Sequence, residues 1–223
     1  MVACLIFDLE DTLCDYRQAM ENAKQKVSDI LRGIGVDPAS FWTRYHQLEP
    51  VLFQQFTEKK LTVEEYRVER YADVLREWDK SKLEWVDRLN AVYMNEANHR
   101  IQLFEDVIPF LANMKKNGVM GAVLTNGPAD GQRNKMAALG LTDYVDKIYI
   151  SAEIGYSKPA REAFQYVLDD LRLSATDVWT IGDSLAVDVK GAHQVGIKAI
   201  LLDRANKYPD YAGPKVRSLI ELL

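Results

Sequence analysis

Apolar positions along this chain fall into two rhythms. Short continuous runs close abruptly on polar residues, and elsewhere apolar residues recur every three or four positions. The first run, Val2 to Phe7, ends on Asp8-Leu9-Glu10-Asp11-Thr12; a second, Val119 to Leu124, ends on Thr125-Asn126-Gly127; a third segment, Val178-Trp179-Thr180-Ile181, apolar but for Thr180, ends on Gly182-Asp183-Ser184. Runs of this length predict strands covered on both faces, as in a parallel sheet, where ligands gather beyond the C-terminal ends of the strands. From Leu13 to about Arg100 the strand rhythm is missing. Tyr16 to Arg32 predicts a helix stopped by Gly33-Ile34-Gly35, and Asp37-Pro38 caps and starts a second that runs to about Glu58. Thr62-Val63-Glu64-Glu65 and Ser81-Lys82-Leu83-Glu84 both fit the capping-box pattern and predict the starts of a third and a fourth helix.

Strand–helix alternation resumes near Phe104. Val107 to Asn117 predicts a helix ended by Gly118, and a helix from about Asp130 to Leu139 is ended by Gly140. Pro159 is placed as the first residue of a further helix, with Lys158 just outside it. Asp188 precedes the Gly191-Ala192 turn of another, and the tail reads as a loop with a last edge element at Ser218-Leu219-Ile220. The pattern therefore predicts an α/β fold, a parallel sheet flanked by helices, interrupted by an all-helical insertion.

The strand ends carry the candidate chemistry. A carboxylate at Asp8, at the edge of a buried strand, suits a nucleophile or a metal ligand, and Glu10 can shuttle protons if the chain turns back sharply; the same residues also suit an acidic turn that caps a helix. Thr125 offers a hydroxyl, and the turn after it can aim backbone N–H groups at an anion. With the Lys158 ammonium and the acids Asp183 and Asp188, the inventory fits a phosphoryl group and a divalent cation.

These four segments, Asp8-Leu9-Glu10-Asp11-Thr12, Thr125-Asn126, Lys158-Pro159 and Gly182-Asp183-Ser184 through Asp188, resemble in order and context the motifs of the haloacid dehalogenase-like (HAD) superfamily. The resemblance frames residues 2 to about 202. It implies a Rossmann-like parallel sheet, Mg²⁺-dependent phosphoryl transfer and an aspartyl-phosphate on Asp8. By the same resemblance Asp8 binds Mg²⁺ as well as attacking phosphorus, and Glu10 is the general acid/base and lends its backbone carbonyl to the metal. Thr125 and the Asn126 amide hold phosphoryl oxygens, Lys158 neutralises the intermediate and orients Asp8, Asp183 completes the metal's ligands, and Asp188 acts beside them through water or on Lys158. The helical insertion resembles the cap of HAD subfamily I, giving a core of residues 1–14 and 101–223 and a cap of residues 15–100.

One residue departs from the pattern: the family's phosphatases carry Asp where this chain has Glu10. The extra methylene moves the carboxyl by about one C–C bond, and the general acid/base catalysis at stake is worth ~10²–10⁴-fold. The departure predicts slowed breakdown of the intermediate. Metal-independent 2-haloacid dehalogenation is an alternative, although family dehalogenases carry Tyr at this position. Phosphonatases are disfavoured because they carry Ala there and use a cap lysine. A catalytically weak phosphate-binding protein is the third class.

Composition narrows the partners. With 223 residues the chain holds one core domain and one insertion, and a net charge of −5 gives no basic footprint for a nucleic-acid polymer. A small phosphorylated metabolite is expected, a sugar phosphate or a nucleotide, handled by a monomer or homodimer. No run reaches a membrane span, no leader pattern precedes the first strand, and the two cysteines, Cys4 and Cys14, suggest no disulfide framework, so a cytoplasmic setting is expected. In the insertion Arg17, Arg44, Arg67 and Arg70 are candidates for an anionic leaving group, and Tyr16, Trp42, Tyr45 and Phe53 for a ring. Helical spacing assigns most of them to a solvated face or a core stripe instead. His46, His99 and His193 lack metal-ligand spacing.

Overall fold

The computed structural model describes residues 2–223. In chain order the elements are β1 (Cys4–Phe7), α1 (Tyr16–Gly33), α2 (Pro38–Thr57), α3 (Val63–Arg76), α4 (Val86–His99), α5 (Val107–Lys116), β2 (Met120–Thr125), α6 (Ala129–Ala138), β3 (Lys147–Ile150), α7 (Ser151–Ile154), α8 (Arg161–Leu171), β4 (Val178–Gly182), α9 (Lys190–His193), β5 (Lys198–Leu202) and β6 (Lys215–Val216). Two compact units result, one of residues up to Tyr16 with Ile101–Leu223, the other of Arg17–Arg100.

The first unit is a six-stranded sheet in the order β3-β2-β1-β4-β5-β6, and each pair is parallel. Strand order runs outward from β1 in both directions, so the β1–β4 boundary is a switch point with a crevice at its C-terminal end. Register delivers the polar residues there: Phe7 lies beside Ile181 and Val123, which brings Asp8, Asp183 and Thr125 out at the same edge. Cys4, Ile6, Ala122, Leu124 and Leu201 pack with Phe164, Val167 and Ala192 on one face of the sheet, while the Phe7 ring meets the edge of Phe110 from α5. Burial on both faces is why these strands read as unbroken apolar runs.

A buried carboxylate ties the C-terminal end to this unit. Asp106 accepts hydrogen bonds from both terminal guanidinium nitrogens of Arg204 at 2.8 and 2.9 Å, from the Ser218 hydroxyl at 2.7 Å and from the Leu219 amide at 2.8 Å. Burial pushes this carboxyl up, but the donors and the Arg204 charge outweigh it and hold it below the ordinary range. A depressed carboxylate contributes stability that is present above the unfolded value of about 3.9 and lost as pH falls through the folded one. We expect Asp106→Asn to cost about 2–4 kcal/mol at neutral pH. The gap from wild type, read from urea midpoints, narrows as pH falls below about 4.

The second unit is helical throughout. Asp37 accepts the Ser40 amide at 2.9 Å with Pro38 in the first turn, and Thr62 and Glu65 form a reciprocal capping box. The fourth start differs from expectation. The Asp79 carboxylate accepts both the amide and the hydroxyl of Ser81, so Ser81 is a donor inside a 3₁₀ turn, Lys80–Trp85, and α4 begins at Val86. Within this unit Arg70 is buried against the rings of Tyr66, Tyr71 and Tyr93, Trp42 donates to Ser28, Arg44 pairs with Glu77, and Phe53 packs on Phe56 and Tyr66. These contacts give Arg70, Trp42 and Phe53 a packing role, whereas Arg44 forms an exposed ion pair.

Three boundaries in the first unit also move. α8 starts at Arg161, two residues after Pro159. β3 is a strand that the apolar rhythm does not single out, and the edge strand is Lys215–Val216, with Ser218 capping a 3₁₀ turn over Leu219–Leu222. No helix among the described residues is long and apolar enough to cross a membrane.

Candidate active site

Asp8 continues β1 for one residue, its amide donating to the Ile181 carbonyl at 3.0 Å. The chain then doubles back: Asp11 adopts φ 56°, its amide bonds Cys14 O, and Leu13 and Cys14 both donate to Leu9 O. This tight loop returns Glu10 to the end of the sheet, which is the turn an acid two residues after Asp8 needs. Cys14, at the loop's close, donates its thiol to Leu9 O, and burial holds its pKa well above the usual range, so it packs rather than reacts.

From β2 come Thr125, buried, and Asn126, whose side chain grips the main chain of Lys158 from both sides, donating to its carbonyl at 2.8 Å and accepting its amide at 2.9 Å. Asn126 thus fixes Lys158 through its side chain, a task separate from the one that the motif resemblance gives to its backbone amide. The clamp aims the buried Lys158 ammonium between two carboxylates, 2.6 Å from Asp8 Oδ1 and 2.7 Å from Asp188 Oδ1. Burial alone lowers the Lys158 pKa, but the charges of Asp188 and Asp8 reverse the direction and raise it, so the ammonium keeps its proton.

Asp183 and Asp188 leave the end of β4. After it the chain forms one wide π turn, Leu185–Val189, in which the Asp188 and Val189 amides both donate to Ser184 O. That turn folds Asp188 back so that Oδ2 accepts the Ser184 amide at 3.0 Å. Its carboxylate lies directly over Gly182, where any side chain would collide with it. Burial, with Asp8 adding and Lys158 opposing, pushes Asp188 up to about 6. Asp183 is raised as well, by burial and then by the Asp8 charge, against the ion pair from Lys207 at 3.1 Å. Carboxylate oxygens of Asp8, Asp183 and Asp188 lie within 4.8 Å of one another. Three hard oxygen donors this close, two of them resisting ionisation, suit a hard divalent cation.

Glu10 lines the same pocket, which has a volume of about 240 Å³ and is also lined by Asp11, Tyr16 and Ser184. Burial pushes its carboxyl up, opposed by the ion pair it makes with the ammonium of Lys135 on α6. Lys135 also donates to Gln132 Oε1 at 2.7 Å and lies 4.3 Å from the centre of the Tyr16 ring, while Gln132 Nε2 donates to Thr125 Oγ1 at 2.6 Å. Reading by motif and periodicity misses Gln132 and Lys135. Their one signal is an i, i+3 pair of long polar residues on the buried side of α6.

The chain matches the family model described as haloacid dehalogenase-like hydrolase over residues 2–196. It is 33% identical over 119 residues to a phosphoserine phosphatase of Thermus thermophilus, a match spanning 53% of this chain and 48% of that protein. Over its full length it is 26% identical to a glyceraldehyde 3-phosphate phosphatase of Pyrococcus furiosus, covering 93% of that protein. The crystal structure of the Bacillus subtilis HAD-hydrolase YfnB bound to magnesium superposes with a TM-score of 0.79 at 24% identity, covering 99% of this chain and 96% of that one. That likeness concerns the fold alone, but the family model spans residues from β1 to the end of α9, and so the chain belongs to the haloacid dehalogenase-like hydrolases and is an enzyme of that class.

Proposed function

We propose that this protein is a Mg²⁺-dependent phosphatase that hydrolyses a small phosphomonoester through an aspartyl-phosphate on Asp8. The observation that carries the reading is the Lys158 ammonium held between Asp8 and Asp188, with Asp183 beside them at the switch point. Relatives whose names specify phosphoserine and glyceraldehyde 3-phosphate support a small phosphorylated substrate, a sugar phosphate or a nucleotide among the classes expected. Binding of magnesium by YfnB supports the choice of ion.

In this mechanism the Asp8 carboxylate attacks phosphorus in line with the leaving oxygen. A bond forms from carboxylate oxygen to phosphorus, the ester P–O bond breaks, and the departing oxygen takes a proton from Glu10. Thr125 and the Asn126 amide hold the equatorial oxygens while Lys158 offsets their charge. Water then attacks phosphorus with its proton passing to Glu10, which frees phosphate and restores Asp8. Asp8, Asp183, Asp188 and the Glu10 carbonyl would hold Mg²⁺, which when bound supplies positive charge against carboxylate–phosphate repulsion. Residues 1–14 and 101–223 serve as the core of this enzyme, and residues 15–100 as the cap that selects the substrate.

Phosphate release from p-nitrophenyl phosphate and a panel of cellular phosphomonoesters tests the reading. Turnover is expected with Mg²⁺, to fall to background in EDTA and to return when Mg²⁺ is restored. Silence across the panel together with halide release from 2-haloacids, indifferent to EDTA, would replace it with dehalogenation.

A further inference from the structure

Resting on the phosphatase reading, we propose that Lys135 is the positioning residue for Glu10, its buried ammonium seating the longer carboxylate where the reaction needs it. Glutamate has one more rotatable bond than aspartate, so its carboxylate sweeps a wider volume unless something holds it. Lys135 is 4% exposed, and the three directions of its ammonium are all used: the Glu10 carboxylate, Gln132 Oε1 at 2.7 Å and the face of Tyr16. A buried ammonium is costly without a carboxylate, and Glu10 is the one carboxylate with which Lys135 forms an ion pair among the described residues. Met136, next along α6, is buried too, so burial on this helix does not by itself require a charged side chain.

Gln132 makes the seat rigid. Its amide orientation is set at both ends, Nε2 donating to Thr125 Oγ1 at 2.6 Å while Oε1 accepts from Lys135. The hydroxyl proposed to hold the phosphoryl group and the carboxylate proposed to move the proton are therefore joined by one buried chain of hydrogen bonds, Thr125–Gln132–Lys135–Glu10. Displacement of any member is felt at the others. The chain also accounts for a longer acid at position 10: an aspartate carboxyl ends about one C–C bond short of the ammonium that Glu10 reaches. Glu10 and Lys135 are a matched pair, so the slowed breakdown that Glu10 by itself predicts is offset by its partner, and restoring the family's usual aspartate undoes the match.

The test is a double-mutant cycle on the full chain with Mg²⁺, reading kcat and KM on the best phosphomonoester of the panel. Lys135→Met is expected to lower kcat by on the order of 10²-fold, with KM changed less than about threefold. In a Glu10→Gln background the same substitution adds less than about twofold, because the carboxylate it served is gone. Lys135→Arg, which keeps the charge, is expected to retain at least a tenth of wild-type kcat, and Glu10→Asp to lower kcat rather than raise it. Equal losses from Lys135→Met in the two backgrounds, a change confined to KM, or a gain in Glu10→Asp would overturn the proposal. Should Lys135→Met fail to fold, Lys135→Gln, which also removes the charge but keeps a polar side chain, decides in the two backgrounds by the same criterion. Wild-type turnover that survives Asp8→Asn refutes the phosphatase mechanism itself, and no Lys135 variant is needed to see it. Asp8-dependent turnover with an additive cycle refutes the positioning role alone.

Discussion

In Asp8→Asn, Mg²⁺-dependent phosphate release falls by on the order of 10⁴-fold or more, since the variant loses the nucleophile on which both steps depend. The substitution is nearly isosteric, and the carboxamide it introduces still offers an oxygen acceptor to the Lys158 ammonium. The fold is therefore expected to survive, with a change in stability within about 1 kcal/mol by urea denaturation. Two effects offset each other there. Lys158 loses one of its two carboxylate partners, but Asp183 and Asp188 lose the negative charge that helps push both of them up. A soluble, folded and inactive protein is the expected result; a variant retaining a tenth of wild-type turnover would remove Asp8 from the chemistry.

Lys158→Met produces the second large effect, and it combines a catalytic with a structural loss. Activity falls by on the order of 10³-fold or more, because the ammonium that opposes charge on the transferred group from that side is gone. The variant also leaves Asp8 and Asp188 facing each other with no ammonium between them. Removing one partner from a buried ionic group costs about 3–5 kcal/mol, most of it the penalty of the charges left behind. That penalty depends on pH with a definite sign. Asp188 is pushed up to about 6 even with Lys158 present, and without it moves higher. A carboxylate raised in the folded state favours folding when protonated, and this contribution is lost as pH rises through the folded value. The destabilisation of Lys158→Met, measured in EDTA by urea denaturation, is therefore largest on the alkaline side, at about pH 8 or above, and shrinks as pH falls toward about 6, below which Asp188 is protonated in both proteins. A pH-independent gap would show that Asp8 and Asp188 do not carry it.

Much of this site is legible in the sequence because strand ends write it. Asp8 and Thr125 each follow an apolar run directly, Asp183 follows a mostly apolar one by way of Gly182, and parallel pairing with a switch at β1 leaves those three ends side by side. Lys158 is visible only as a lysine before a proline within a recognised set of motifs. Its aim depends on the Asn126 side chain, a contact between residues 32 positions apart that no local pattern reports. β3 escapes because Lys147-Ile148-Tyr149-Ile150 is short and half-exposed, so alternation and burial give conflicting signals over four residues. At Ser81 the competing acceptor two residues earlier, Asp79, takes the amide and hydroxyl and leaves Ser81 inside the turn rather than at its cap. Lys135 is beyond reach for a different reason: a lysine on an amphipathic helix is ordinarily solvated, and the carboxylate that pairs with this one lies 125 positions earlier.

The wide turn after β4 has a consequence for how this chain tolerates change in length. Surface segments between elements usually accept a residue gained or lost, because the connection is free to relax. Leu185–Val189 is short, part-exposed and follows a strand, and so looks like such a segment. Yet its bonds from Asp188 and Val189 to the same Ser184 carbonyl hold one residue more than an ordinary helical turn does. Deleting a single residue there would let the backbone settle into a regular helix without loss of hydrogen bonds, while rotating every following side chain by about 100°. The carboxylate over Gly182 would point elsewhere in a protein that remained well folded. Placement of the Asp188 carboxylate therefore depends on the number of residues in this stretch as well as on their identity.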